Sequence, residues 1–162
     1  MLYECNQPFV PLAKELKMLD EYINLENIRY GNELELHVDF PDDADDFYTA
    51  PLLLLPFVEN AFKHGISHML EHPWLTLSVS LQGDVMTFKL LNSKPENSPP
   101  SQRAGIGIDN VRKRLALLYP HQHELLITNE DDVFIVNLKL TLKKGKVTTA
   151  TTAQPNALAA FT

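Results

Sequence analysis

The sequence has few of the features that mark secreted, zinc-binding or membrane-spanning proteins. It contains a single cysteine, Cys5, among 162 residues, which excludes an intramolecular disulfide and a cysteine-rich zinc site. Its longest apolar run, APLLLLPFV at residues 50–58, contains two prolines and is about half as long as a membrane-spanning helix requires. The start, MLYECNQPFV, lacks a basic segment followed by an apolar run, which is the pattern of a signal peptide. We therefore expect a soluble, cytoplasmic chain.

Positive charge is also scarce in this sequence. Lysine and arginine number 14 against 21 aspartates and glutamates, and the formal net charge is −7. A surface of this sign repels nucleic-acid phosphates and anionic lipids. We expect no nucleic-acid partner, although a locally basic pocket for one anionic small molecule remains compatible with this charge.

Hydrophobic periodicity predicts two helices and a strand in the first part of the chain. Residues 11–30 have the three-to-four spacing of an amphipathic helix at Leu12, Leu16, Leu19, Ile23 and Leu25. Residues 34–40 alternate between apolar and polar, as in a half-buried strand. A second helix is expected over residues 50–64, with Thr49 as its cap, and Pro56 is expected either to kink the helix or to delay its regular part.

The second part of the chain predicts two hairpins around a third helix. The hairpins cover residues 75–90 and 124–142, and the helix follows Gly107 and runs to Pro120. A long loop is expected over residues 92–105 and a disordered tail over residues 143–162. Strand pairs with segregated helices indicate an α+β fold, here a two-layer α/β sandwich with a mixed, mostly antiparallel sheet and helices on one face.

The end of the second predicted helix carries four polar residues: Glu59, Asn60, Lys63 and His64. Residues three and four apart share a helical face, so Asn60, Lys63 and His64 project together. Solvated side chains at a helix end would explain this cluster. The alternative is a site for a metal and a polyanion, in which Asn60 offers a carbonyl oxygen to Mg²⁺ and the two basic residues meet phosphate oxygens.

Two glycines, Gly105 and Gly107, form a second cluster in AGIGIDNVRKRL at residues 104–115. Glycines let the backbone approach a ligand, and a helix start presents free N–H groups to anions. A simple turn from loop to helix would produce the same pattern. The segment is not the dinucleotide-binding fingerprint, which requires a strand leading directly into the glycines.

Together the two clusters resemble a known pair of motifs. PLLLLPFVENAFKHG resembles the N box, and GIGIDNVRKRLALLYP the second glycine box, of the ATP-binding domain of bacterial sensor histidine kinases, in particular the LytS-like subfamily. The segment LKMLDEYINLENIRYG is similar to the helix that this subfamily carries just upstream of that domain. The resemblance covers about residues 12–142 and implies the Bergerat-type ATP-binding fold, with ATP and Mg²⁺ as cofactors.

The resemblance also implies roles for individual residues. It places the magnesium-binding asparagine on Asn60 and the phosphate-contacting basic residues on Lys63 and His64. It places residues 94–104 in a mobile lid, from which Gln102 and Arg103 would reach the terminal phosphate. The glycine box falls on Gly105, Ile106, Gly107 and Ile108. Arg112 and Arg114, which follow it, are interpreted as structural or surface residues.

The sequence departs from the family pattern at three places. Asn92 stands where many relatives have an aspartate that accepts a hydrogen bond from the adenine amine, and an uncharged amide is a weaker acceptor. Pro56 stands where related ATPases carry a general-base glutamate, so efficient hydrolysis is not expected, although Glu59 could polarise a nucleophile from nearby. The phosphate-accepting histidine segment of the family is absent.

We therefore expect a fragment of a two-component sensor histidine kinase, the cytoplasmic part of an inner-membrane protein. Residues 1–30 would end the dimerisation helix and residues 31–142 would bind ATP. The expected partners are the missing dimerisation and phosphoacceptor domain, a response regulator and, in the full protein, a second copy in a homodimer. The alternatives are a nucleotide-sensing or pseudo-kinase interaction module without turnover, and a generic α+β domain whose motifs are coincidental.

Overall fold

The computed structural model describes residues 9–98 and 102–145, and the side chains of residues 102–104 and 106 lie outside this description. Within these described ranges there are three α-helices, at Leu12–Asn27 (α1), Leu55–His64 (α2) and Gln102–Leu118 (α3). The strands are Val10–Pro11 (β1), Glu35–Asp39 (β2), Phe47–Thr49 (β3), Trp74–Gln82 (β4), Val85–Ser93 (β5), His123–Asn129 (β6), Val133–Thr141 (β7) and Lys143–Lys144 (β8). Single 3₁₀ turns lie at Ala44–Asp46 and Ile66–His68.

The main sheet has five strands in the order β2-β4-β5-β7-β6. Strand β2 runs parallel to β4, and the other neighbours are antiparallel. Alternate residues of β4, such as Leu75 and Leu77, are buried, whereas Thr76 and Ser78 between them are partly exposed. This alternation gives the sheet one apolar face, against which the helices bury their own apolar side chains. The predicted fold class, a mixed and mostly antiparallel sheet with helices on one face, is confirmed.

A second, three-stranded sheet with the order β1-β3-β8 was not expected from the sequence. Its strands are two or three residues long, too short to produce a hydrophobic period. Lys143 and Lys144, at the start of the tail expected to be disordered, pair with Tyr48 and Phe47 of β3. The rest of that expected tail, residues 146–162, lies outside the described residues.

Helix α1 packs into the same core as the sheet. Four members of its predicted apolar stripe are at most 4% exposed: Leu12, Leu16, Leu19 and Ile23. Leu25 is 67% exposed, so its assignment to the stripe is wrong. The division of the chain at residues 30 and 142 stays a prediction.

Helix α2 begins later than the sequence suggested. The expected cap, Thr49, belongs to β3, and the chain then makes a turn in which Leu52 has a φ angle of 58°. The helix starts at Leu55, which places Pro56 in the first turn, where proline removes no helical hydrogen bond. The predicted start at residue 50 is therefore wrong. Of the two effects expected of Pro56, the structure shows the later start of the regular helix.

Helix α3 begins earlier than expected. It starts at Gln102, so Gly105 and Gly107 lie inside the helix and not before it. The loop after β5 is correspondingly shorter, and its residues 99–101 lie outside the described residues. Within residues 9–98 and 102–145, no helix combines the length and apolar character that a membrane crossing requires.

Candidate functional site

A cavity of about 360 Å³ lies where α2 and α3 pass over the ends of β5, β6 and β7. Small-molecule sites in proteins commonly enclose about 300–1,000 Å³. Its lining comes from α2 and its end (Asn60, His64, Gly65), from α3 (Gly105, Ile108, Asp109, Arg112), from the sheet (Asn92, Ile127, Asn129, Phe134) and from the loop after β5 (Lys94, Ser98). The cavity thus has two helical walls and a floor formed by the sheet.

The wall formed by α2 presents Asn60 and His64, four residues apart and therefore on one helical face. The opposite face holds the helix in the core through Phe57, Val58, Ala61 and Phe62, each at most 1% exposed. Because the apolar face is fixed in the core, the polar face is directed into the cavity. The amphipathic order of the helix therefore determines where these two polar side chains lie.

The side-chain oxygen of Asn60 is buried and has no hydrogen-bond partner among the residues that the structure describes. A buried carbonyl oxygen without a partner costs on the order of 1–3 kcal/mol. Such an oxygen is also a suitable ligand for Mg²⁺. Within the described parts of the chain, no group of three or more His, Cys, Asp or Glu side chains is placed to hold a metal ion. A magnesium ion at Asn60 would therefore need oxygen ligands from a bound molecule and from water.

The surroundings of His64 disfavour the protonated form of its imidazole. Partial burial lowers the pKa of its imidazole, and the neighbouring charges of His68 and Lys63 lower it further. A neutral imidazole offers one donor and one acceptor to a ligand. An anionic group in the cavity would reverse this shift, because negative charge favours the protonated ring.

The floor of the cavity contains a second unpaired amide oxygen, that of Asn92. This residue is 2% exposed, and its Nδ2 donates a hydrogen bond to the carbonyl of Ser93 at 3.0 Å. Its Oδ1 has no hydrogen-bond partner within residues 9–98 and 102–145. The carbonyl oxygen of Ser93 can only accept a hydrogen bond, so the amide atom that faces it is the nitrogen. Oδ1 of Asn92 is therefore the atom available to accept a hydrogen bond from a ligand. Phe134 lies directly opposite Asn92 on the adjacent strand, and Asn129 lies opposite Phe134.

The wall formed by α3 presents one helical face: Gly105, Ile108, Asp109 and Arg112. Their spacing of three and four residues is that of a single stripe. A Cβ added to Gly105 would meet no atom of the described part of the chain within 4 Å. Arg112 brings positive charge to the lining, as does Lys94, whose Nζ donates to the carbonyl of Asp131 at 3.0 Å.

Five of the residues expected to contact nucleotide line this one cavity: Asn60, His64, Asn92, Gly105 and Ile108. Gly107 is not part of the lining. The side chains of Gln102, Arg103 and Ile106 lie outside the described residues. The two motifs are thus brought to opposite walls of one cavity, as their combination on the sequence predicted.

Glu59 and Lys63 face away from the cavity. Nζ of Lys63 lies 3.5 Å from Oε2 of Glu59, one helical turn away, and the lysine is largely exposed. Glu59 also lies near Tyr22, whose pKa is raised to about 12 by burial and by the charges of Glu26 and Glu59. Their roles in catalysis and in phosphate contact stay predictions, and each would require a different side-chain position.

Several lining residues were missed on the sequence. Arg112 and Asp109 could have been found, because they lie seven and four residues beyond Gly105 on the helical face that Gly105 begins. Asn129 and Phe134 could not, because only the strand register places them opposite Asn92. Arg114 does have the structural role expected of it, since it donates hydrogen bonds to the carbonyls of Pro51 and Leu52.

The fold is that of histidine kinase catalytic domains. The catalytic domain of histidine kinase ThkA superimposes with a TM-score of 0.58 at 14% identity, over 86% of this chain and 100% of that one. At this level of identity the likeness concerns the fold.

The sequence is similar to sensor histidine kinases of the LytS-like kind, which confirms the resemblance. It is 25% identical over 126 residues to the sensor histidine kinase BtsS of Escherichia coli K12, covering 78% of this chain and 22% of BtsS. It is 25% identical over 155 residues to the sensor protein LytS of Oceanobacillus iheyensis, covering 87% of this chain and 26% of LytS. The chain thus spans about a quarter of the length of these relatives. No model of a protein family matches it.

Proposed function

We propose that the chain is the ATP-binding catalytic domain of a two-component sensor histidine kinase. It would deliver the γ-phosphoryl group of Mg-ATP to a histidine that lies outside this sequence. The observation that carries the proposal is the convergence of Asn60, His64, Asn92 and Gly105 on one cavity. It is supported by the shared fold with a histidine kinase catalytic domain and by the similarity to BtsS and LytS.

The adenine base would bind at the floor of the cavity. Oδ1 of Asn92 is buried and unpaired, and the adenine amine is a donor that such an oxygen can accept. Phe134, Ile108 and Ile127 supply apolar surface in the same lining. An amide oxygen is a weaker acceptor than a carboxylate, so the apolar contacts would carry a larger share of the binding free energy.

The phosphates would bind between the two helical walls. His64 lies on one wall, and Gly105 and Arg112 lie on the other. The free N–H groups of α3 are those at its start near Gln102, upstream of both glycines. Lys63 could join the phosphates after releasing Glu59.

Asn60 would hold the magnesium ion through its unpaired Oδ1. The ion would supply charge neutralisation at the phosphate oxygens when bound. Phosphoryl transfer depends mainly on positioning and on electrostatic stabilisation, and the residues named above serve these two purposes. With Pro56 at the position of the general base and Glu59 outside the cavity lining, we expect little hydrolysis of ATP by the chain itself.

The proposal includes partners outside the chain. The phosphate acceptor would belong to a dimerisation domain, the full protein would be a homodimer in a membrane, and a response regulator would receive the phosphate. A scaffold without turnover is the competing function, and it is favoured by the uncharged acceptor Asn92.

Isothermal titration calorimetry with ATP and Mg²⁺ tests the proposal. We expect the native chain to bind ATP in a magnesium-dependent way, and Asn60→Ala to bind it at least tenfold more weakly. Asn24→Ala, which changes an exposed asparagine on α1, is the control and should bind as the native chain does. Absence of binding to the native chain would overturn the proposal. An unchanged dissociation constant in Asn60→Ala would remove the magnesium assignment.

A further inference from the structure

The turn that leads into α2, residues 50–54, is held by side chains from distant parts of the chain. The N–H of Ala50 donates to the hydroxyl of Tyr119 at 2.9 Å. The N–H of Leu52 donates to Oε2 of Glu15 at 3.1 Å. The guanidinium of Arg114 donates to the carbonyls of Pro51 and Leu52 at 2.7 and 3.0 Å. We call residues 50–54 the α2 entry turn. Side chains of α1 and α3 both form hydrogen bonds with it.

The backbone of the α2 entry turn is strained. Leu52 has a φ angle of 58°, a left-handed conformation that costs a residue with a Cβ about 1–2 kcal/mol. Its side chain is 52% exposed, so burial of the leucine gives only partial compensation. Two hydrogen bonds at the same residue therefore hold this conformation: the N–H of Leu52 donates to Glu15, and its carbonyl accepts from Arg114.

Burying the carboxylate of Glu15 in the core has a cost in free energy. This residue is 4% exposed, on the buried face of α1. Burial raises the pKa of its carboxyl, while the hydrogen bond from Leu52 and the charge of Arg114 oppose that shift. Apolar residues at such positions are often as stabilising as buried charges or more so. The hydrogen bond that Glu15 accepts from the α2 entry turn explains why a carboxylate occupies this buried position.

Both helical walls of the nucleotide cavity meet at this turn. Downstream of it, α2 carries Asn60 and His64. Arg114 belongs to α3, the helix that presents Gly105 and Arg112 to the cavity. Glu15 adds α1 to the same junction. A shift of α1 would therefore displace the backbone of the α2 entry turn, which contacts both α2 and α3, the helices that form the two walls.

We propose that Glu15 and Arg114 are positioning residues that couple helix α1 to the nucleotide site through the α2 entry turn. Through this coupling, displacement of α1 regulates how well Asn60 and His64 are aligned to bind Mg-ATP. The inference rests on the proposed function, because it assigns a regulator to the same site. The elements that we propose to be coupled, α1, α3 and the α2 entry turn, are joined by hydrogen bonds that are present without nucleotide.

The test uses Glu15→Ala and Arg114→Gln, which remove the bonds to the turn. Glu15→Gln and Arg114→Lys are conservative partners, which keep an acceptor for Leu52 and one donor for the carbonyls. Glu21→Gln on α1 and Lys113→Gln on α3, both exposed, are the controls. For each chain we would measure the dissociation constant for Mg-ATP, the unfolding free energy in urea, and hydrogen exchange of the amides of residues 55–64 without nucleotide.

We expect Glu15→Ala and Arg114→Gln to weaken Mg-ATP binding about tenfold while folded, with amide exchange in α2 accelerated by a similar factor. Glu15→Gln should recover most of the affinity, and Arg114→Lys part of it. The double variant should lose less affinity than the product of the two single losses, because both residues act on one turn. A purely structural role would lower the unfolding free energy and leave the dissociation constant of the folded chain unchanged.

Dissociation constants within twofold of the native value in the folded variants, with native exchange rates in α2, would overturn the coupling. If Glu15→Ala or Arg114→Gln does not fold, Arg114→Lys decides the question by the same two measurements. If the native chain does not bind Mg-ATP, the proposed function fails. The exchange rates of α2 in the free variants then still decide whether the entry turn controls this helix.

Discussion

Gly65 lies so close to Asn92 that a Cβ added to the glycine would overlap the side-chain amide of the asparagine. The same added atom would lie 2.8 Å from the carbonyl oxygen of Ala61 and 2.9 Å from that of Ser93. The end of α2 is thus pressed against the end of β5, beside the cavity. This contact places the end of β5, which carries Asn92, against the end of the helix that carries Asn60; among the described residues, both side-chain oxygens are buried without a hydrogen-bond partner.

Gly65→Ala should therefore destabilise the chain and disturb the site. We expect a loss of about 1–3 kcal/mol of unfolding free energy, because two of the three crowded atoms belong to the backbone and cannot rotate away. Displacement of Asn92 should also weaken ATP binding. Urea denaturation and calorimetry measure the two effects. If Gly65→Ala has the native unfolding free energy, the ends of α2 and β5 can move apart without loss of stability.

Substitution of the glycines in α3 should have the opposite effect on stability. A Cβ added to Gly105 or Gly107 meets nothing within 4 Å, and alanine is favoured over glycine inside a helix by about 1 kcal/mol. We expect Gly105→Ala and Gly107→Ala each to raise the unfolding free energy by about 0.5–1 kcal/mol.

The two glycine variants should differ in nucleotide binding. Gly105 lines the cavity and Gly107 does not, so Gly105→Ala should bind ATP several-fold more weakly and Gly107→Ala nearly as the native chain does. Calorimetry on both variants gives the comparison. Equal losses would show that nucleotide binds to a rearranged start of α3, in which both glycines face the phosphates as the motif resemblance implies.

Binding of nucleotide should take up protons at His64. In the free chain the pKa of this imidazole is lowered, first by burial and then by His68 and Lys63, so the ring is mostly neutral at pH 7. Phosphate groups beside it would raise that pKa. Protonation then favours the bound state, and affinity for Mg-ATP should increase as the pH falls from about 8 to about 6, around the ordinary histidine pKa of about 6.5.

Titrations in buffers of different ionisation enthalpy measure this proton uptake. The nucleotide itself titrates in the same range, so the informative quantity is the difference between the native chain and His64→Gln. His68→Gln, which changes an exposed neighbour, is the control and should retain most of the uptake. Equal uptake by the native chain and His64→Gln would place the phosphates away from this side chain.

Arg112 should contribute to nucleotide binding although its sequence position suggested a surface role. It lines the cavity on the face of α3 that begins with Gly105. We expect Arg112→Gln to weaken Mg-ATP binding about tenfold or more, because a charge-assisted bond to an anion typically contributes about 1.5–3 kcal/mol. Lys113→Gln changes an exposed cation next to it and is the matched control. An equal effect of both substitutions would indicate a general charge effect instead of a contact.

The layered fold could be predicted from the sequence because its hydrophobic patterns extend over many residues. The alternation in β4 and β5 and the stripe of Leu12, Leu16, Leu19 and Ile23 each repeat several times. The start of α2 could not be predicted, since the left-handed conformation of Leu52 is held by partners far away in the sequence: its N–H donates to Glu15 and its carbonyl accepts from Arg114. Local propensity contains no information about such partners.

The candidate site was predictable where one motif occupies one helix face. Asn60 and His64 are four residues apart and lie together in the cavity. The same argument placed Lys63 with them. In the structure Lys63 pairs with Glu59 and is not among the lining residues, so its contact with phosphate stays a prediction. The floor residues Asn129 and Phe134 depend on strand pairing, which a single sequence does not determine.

The small sheet of β1, β3 and β8 brings the two ends of the described chain together. Val10 and Lys143 pair with adjacent residues of β3 from opposite sides, and Nζ of Lys143 lies 4.1 Å from the ring centroid of Phe9. Strands two places apart in a sheet are separated by about 10 Å, which a peptide of a few residues can span. The domain is therefore suited to circular permutation, with new ends opened at the exposed Gly83 hairpin and the nucleotide cavity left intact.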